Sequence, residues 1–130
     1  MSAKVVGREN KGKLMSKVTV REANQAISKL EAFKSNGNIE GISYADGQLC
    51  RVYSYAALLL EVFPEQKIVL LNTARYSVTT STHQAQVRSG IWKLTQGFQP
   101  EWTVLEYGND ETARHLRNSL KEKQLIAEVF

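Results

Sequence analysis

IEGISYADGQLCRVYSYAALLLEVFPEQKIVLLN, residues 39–72, decides the fold. Ile42-Ser-Tyr44 runs into Asp46-Gly47, the dipeptide favoured in two-residue type I′ hairpins, and Leu49, Cys50, Val52 and Tyr53 resume the strand texture beyond it. Tyr53 and Tyr55 stand at strand spacing and are expected on one face, with Ser54 on the other. The apolar run 56–62 reads as a strand or as a short helix, since periodicity does not separate the two over so few residues. Pro64 cannot donate to a ladder and marks a strand end. KIVLLN (67–72) is a buried strand, which residues 73–77 are expected to extend. An antiparallel meander of three or four strands follows, and WTVLEY (102–107) raises the sheet to about four or five.

Helices are expected on both sides of this block. Thr19-Val-Arg-Glu22 is a capping box, and Val20, Ala23, Ile27, Leu30 and Phe33 recur behind it at helical spacing. Ser35-Asn36-Gly37-Asn38 stops that helix, with Gly37 as the left-handed residue. Ser81-Thr-His-Gln84 is a second capping box, before a stripe of Val87, Ile91 and Leu94 that Gly97 terminates. Asn109 or Asp110 caps a last helix carrying Ala113, Leu116 and Leu120, and the apolar tail 125–130 is expected to dock. The class is therefore α+β: an N-terminal helix, an antiparallel sheet of about four to five strands, and two C-terminal helices packed on one face. Residues 19–130 form a single domain, and residues 1–18 a basic arm.

Charge supports that division. The chain of 130 residues has 17 Lys plus Arg against 13 Asp plus Glu, a net +4. Residues 1–18 hold Lys4, Arg8, Lys11, Lys13 and Lys17 against Glu9 alone, so the whole excess lies there and the rest is formally neutral. An apolar share of 42% with 23% charged excludes wholesale disorder. Cys50 is the single cysteine, so neither an internal disulfide nor a cysteine-rich zinc site is expected. No run nears ~20 apolar residues and no signal-type run opens the chain, so a soluble, cytoplasmic protein is expected.

Chemistry concentrates in NTARYSVTTSTHQAQVR, residues 72–88. Asn72, Arg75, Tyr76, Thr79, Thr80, Ser81, His83, Gln84 and Arg88 gather where a strand hands over to a helix N-terminus, whose free amides and dipole favour anions. Arg75 and Arg88 add bidentate donors for a phosphate. A plainer reading stands beside it: Ser and Thr cap helices and close turns, and His83 is an edge-of-core histidine. Enzymatic readings find little support. His83 and His115 form no metal motif, the carboxylates are scattered, and no glycine-rich phosphate loop occurs. No cofactor is expected. Tyr44, Tyr53, Tyr55 and Tyr76 are candidates for base stacking, yet all but Tyr76 serve equally as ordinary strand residues. Trp92 and Trp102 read as core or interface anchors, and Arg114, Arg117 and Lys121 as a solvated helix face.

The string N-T-x-x-Y-S-V-T-T-S-x-H-Q-x-x-V-R, with Tyr53-Ser54-Tyr55 before it, resembles the signature of an uncharacterised-domain family of phage, plasmid and haloarchaeal-virus proteins. The likeness spans residues 39–88; the run 56–62 is more apolar than in that family. It brings no activity with it. It implies a mobile-element origin and a counter-defence setting, which allows two versions of a binding protein. In one, a signalling nucleotide is held with Tyr76 stacking and Arg75, Arg88 and the Ser81 helix start on its phosphates. In the other, an anti-CRISPR or nucleic-acid-binding module works through Lys4, Arg8, Lys11, Lys13 and Lys17 and a protein partner such as a host defence protein. A homo-oligomer is compatible with an open sheet edge.

Overall fold

A computed structural model describes residues 15–129. The strands are β1 (Ser16–Val18), β2 (Phe33–Ser35), β3 (Ile39–Tyr44), β4 (Leu49–Ser54), β5 (Ala57–Phe63), β6 (Ile68–Asn72) and β7 (Thr103–Tyr107). The helices are α1 (Ala23–Ser28), entered through a 3-10 turn at Val20–Glu22, α2 (Val78–Leu94) and α3 (Asp110–Glu122).

The α+β class holds, but the expected sheet does not. All seven strands form one sheet in chain order. β2 to β6 make the antiparallel meander, whereas β1 pairs with β2, and β6 with β7, in parallel. Parallel neighbours need a crossover, and α1 and α2 are those crossovers. The strand β2 arises where the first helix was expected to continue. Leu30 turns left-handed at φ 56, and Phe33 drops fully buried into the sheet. Helical spacing ran on through Leu30 and Phe33 because both pack into the core that α1 faces.

The run 57–63 is a strand. Apart from Glu61 it is apolar, because both faces of the central sheet are covered there, which leaves no alternation to read. Beside it β4 holds a bulge, where Val52 pairs with Leu60 but Tyr53 with Leu58. The β3–β4 connection is four residues rather than two, since Tyr44 pairs with Leu49, and Ala45, Asp46 and Gly47 all take positive φ. At the β2–β3 turn the left-handed residue is Asn38, φ 69, not Gly37.

Two further expectations are corrected. Residues 73–77 do not extend β6, and α2 starts at Val78, with the Ser77 hydroxyl accepting from Thr80 N at 3.3 Å. Ser81 is therefore inside the helix and caps nothing. Nor do the C-terminal helices share a face. α1 and α2 pack with Phe33, Val52, Leu60 and Leu71 on one side, while α3 packs with Phe63, Ile68 and Leu70 on the other. A sheet apolar on both faces has to be covered twice.

At the ends of the chain, Lys17 lies exposed in edge strand β1, so the folded domain begins before residue 19; Lys4, Arg8, Lys11 and Lys13 lie outside the described residues. Of the tail, Ile126 is buried, whereas Leu125 and Val129 are exposed. Trp92 is also exposed, edge-on to Phe98. Among the described residues no helix is long and apolar enough to cross a membrane.

Candidate functional site

The parallel pair β6–β7 ends its strands side by side at Asn72 and Tyr107. From Asn72 the chain passes to α2 on one face of the sheet, and from Tyr107 to α3 on the other. Two neighbouring parallel strands that send their helices to opposite faces leave a crevice at their carboxyl ends, the place where open α/β sheets bind ligands. Thr73 holds the two exits together: its backbone N–H and its hydroxyl both donate to the Tyr107 carbonyl, at 2.8 and 3.1 Å.

A cleft of about 470 Å³ opens there, its lining including Leu58, Asn72, Tyr76, Tyr107, Arg114 and Arg117 and one acidic residue, Asp110. Asn72 organises one wall. Its Nδ2 donates to the Leu58 carbonyl at 2.8 Å and to the Tyr76 hydroxyl at 3.1 Å, and its Oδ1 accepts from Ala74 N at 2.8 Å. Tyr76, still 42% exposed, is thus tethered by its hydroxyl. Burial pushes the Tyr107 phenol up to about 12, so it stays protonated at physiological pH, and its hydroxyl points at the Leu58 carbonyl, 3.5 Å away.

The opposite wall is cationic. Glu61, 1% exposed, accepts from Arg117 Nε at 2.6 Å through one oxygen and from Arg51 Nε at 2.9 Å through the other. Each guanidinium is held through Nε, and Arg117 is also one of the residues that line the cleft. Arg114, one turn away on α3, has no ion pair among the described residues. The cleft therefore combines an anchored guanidinium, a second one with no ion pair among the described residues, and the Tyr76 hydroxyl, a donor set suited to phosphate oxygens, while both Asn72 Nδ2 protons are spent on Leu58 and Tyr76.

Only part of the block 72–88 reaches this cleft. Asn72 and Tyr76 line it. Gln84 is spent on the crossover, with Nε2 donating to the Asn72 and Ala74 carbonyls. Thr80 and His83 sit on the other face of the sheet, buried against Ser54, whose Oγ is 3.1 Å from Thr80 Oγ1 and 2.7 Å from His83 Nδ1. There His83 is fully buried near the Gly37 backbone, away from the cleft. Arg75, Thr79, Ser81 and Arg88 are exposed and stay apart from the cleft lining. Arg88 follows Ser81 by seven residues, ~10 Å along the helix axis, so the two do not meet on one phosphate. Tyr55 is left-handed at φ 55 and turns its ring toward His83, 6.2 Å between centroids, so it does not share a face with Tyr53.

Tyr107, Arg114 and Arg117 were not legible as site residues, because helix α3 alone reads as a solvated face. One signal was available: Glu61 is the single charge within the apolar run 56–62, and a carboxylate in such a strand needs cations brought to it. Cys50 shares no contact with His83; its Sγ faces the Leu30 carbonyl, and burial pushes its thiol up. Among the described residues no three His, Cys, Asp or Glu form a metal-holding group.

Burial lowers the His83 pKa below its ordinary 6.5, so the folded protein prefers the neutral imidazole. Its contribution to stability is complete above pH ~6.5 and is lost as pH falls below that, where the unfolded chain takes up the proton first. The urea midpoint is expected to decline between pH 7 and 5, and a His83→Asn variant to show a flatter profile.

Fold and site together define an α+β domain with a mixed seven-stranded sheet and a cationic cleft at the ends of its parallel strands. Comparison with protein-family models, with curated proteins and with solved structures finds no match to this chain.

Proposed function

We propose that this protein is a small non-enzymatic binding protein that holds a phosphate-bearing ligand, such as a nucleotide, in the cleft between Asn72, Tyr76, Arg114 and Arg117. The observation that carries this reading is Arg114, without an ion pair among the described residues, beside an Arg117 held by buried Glu61. In this arrangement Arg114 and Arg117 take phosphate oxygens, and Tyr76 stacks on the base. Tyr107, protonated throughout the physiological range, and the two arginines do not serve as a general base there. The proposed setting, counter-defence by a phage or plasmid protein, rests on the likeness of the 72–88 string and on nothing in the fold.

The test is native mass spectrometry of the full chain with added nucleotides, followed by titration calorimetry. Arg114→Ala is expected to weaken binding by roughly tenfold or more, the loss of one charge-assisted contact. Arg88→Ala is expected to leave affinity unchanged, and the ligand to be recovered intact. Equal losses from both substitutions, or a ligand returned chemically altered, would overturn the proposal.

A further inference from the structure

The face of the sheet that carries α3 is only half covered. Residues paired across strands share a face, so the registers give its composition directly. One row runs Lys17–Lys34–Glu40–Tyr53–Leu58 across β1 to β5, and the next runs Ile42–Arg51–Glu61–Leu70–Leu105 across β3 to β7. Helix α3 and Ile126 cover the β5–β7 end, packing on Phe63, Ile68 and Leu70, and the same cluster takes in Leu49 at the start of β4 and one side of Tyr44. Over β1 to β4 this face carries no helix among the described residues, because α1 and α2 lie on the other side.

What remains open is basic and aromatic. Lys17 and Lys34 are exposed, while Ile42, Tyr44, Arg51 and Tyr53 are half-buried. The Arg51 guanidinium lies 5.3 Å from the Tyr44 ring centroid and also interacts with the Tyr53 side chain, so cation and rings form one surface. Lys17 and Lys34 stand here with Glu40, with Glu22 beside them at the β1 edge, and Arg51 adds a third cation that is paired with the buried Glu61. This open half is continuous with the cleft, since Leu58 ends the first row and also lines the cleft. From β1 to β5 the row covers four strand spacings, ~19 Å, more than one nucleotide can occupy.

We infer that the ligand of the cleft is one unit of a single-stranded nucleic acid whose chain continues over the open half of the sheet. This rests on the cleft reading above and extends it. Tyr53 stacks on an unpaired base, and Arg51, Lys34 and Lys17 follow the backbone phosphates toward the β1 edge. Flat aromatic rings interleaved with cations on a sheet suit single strands, because a duplex keeps its base faces hidden.

Fluorescence anisotropy on the full chain tests it with oligothymidylates of about 3 and about 15 nucleotides, spanning the size range of single-strand sites. The longer strand is expected to bind at least about tenfold more tightly, and a duplex of equal length to compete poorly at matched salt. Tyr53→Leu is expected to cost the long strand roughly tenfold and the short one nothing, with Tyr53→Phe retaining affinity. Lys34→Glu, at an exposed position where folding is not at stake, is expected to weaken the long strand and flatten its salt dependence. Arg114→Ala weakens both lengths. If a short strand or free nucleotide binds and responds to Arg114→Ala, yet length and Tyr53→Leu have no effect, the inference falls and the cleft reading stands. A duplex binding as well as a single strand also overturns it. If nothing phosphate-bearing binds, both readings fall.

Discussion

Replacing Glu61 by alanine is expected to lower folding stability by about 3 kcal/mol, measured as a shift of the urea midpoint at pH 7. The carboxylate is 1% exposed and both oxygens are taken, one by Arg51 Nε and one by Arg117 Nε. Removing it leaves two cations facing each other under α3 without the charge that brought them in. Both arginines keep close to a quarter of their side-chain surface in water, so they relax outward, and the cost stays near the low end for a broken buried pair. Glu61→Gln retains an acceptor and is expected to cost less than alanine. A triple replacement with Glu61→Leu, Arg51→Leu and Arg117→Met is expected to recover much of the loss, since buried ion pairs often yield to apolar residues of similar volume without penalty. That triple variant should still lose ligand affinity, which separates the structural role of the carboxylate from its aim on Arg117.

Gly90→Ala is expected to destabilise by about 3 kcal/mol despite the higher helix propensity of alanine. A Cβ at position 90 would stand 2.6 Å from both Cβ and Cγ2 of Ile27 and 2.9 Å from the Asn24 carbonyl oxygen. Two of those atoms, the Ile27 Cβ and the Asn24 oxygen, are placed by the α1 backbone, so no rotamer change clears them. The helices are also locked where they touch. Gln86 Oε1 accepts from Asn24 N and Asn24 Nδ2, at 3.1 and 2.8 Å, and Lys93 Nζ donates to Asn24 Oδ1. Gln86, Gly90 and Lys93 lie at helical spacing along the ridge of α2 that meets α1. Relief therefore requires α1 to move off α2 and break these bonds. Ile27→Ala removes Cγ2 but keeps Cβ, so the double variant is expected to fall short of rescue. Thermal unfolding of the two single variants and the double decides this.

Both positions are inconspicuous in the chain. Gly90 stands inside a helical stripe with nothing beside it to mark a close approach, because the atoms it avoids belong to residues 24 and 27. Glu61 is more readable, as a lone charge in an apolar strand, but its partners lie 10 and 56 residues away. The same holds for the cleft. Asn72 and Tyr76 could be named from the polar string because local turn chemistry makes them conspicuous. Arg114 and Arg117 could not, because on α3 they are two more charges on an amphipathic helix.

The chain alone dictates what depends on near neighbours: the capping box at Thr19 and the cap at Asn109, the antiparallel meander from Ile39 to Asn72, and a concentration of polar groups beyond it. These rest on hydrogen bonds and side-chain alternation spanning a few residues. It also misleads where periodicity passes through a break, as at Leu30 and Phe33, since apolar spacing records burial and not the backbone that achieves it. Which face each helix covers, that β1 and β7 pair in parallel, that Thr80 and His83 are carried away from Asn72, and that two arginines come to face Tyr76 were decided only in the folded molecule. Each follows from where a crossover lands, and a crossover is settled by the apolar surface left uncovered across the whole sheet.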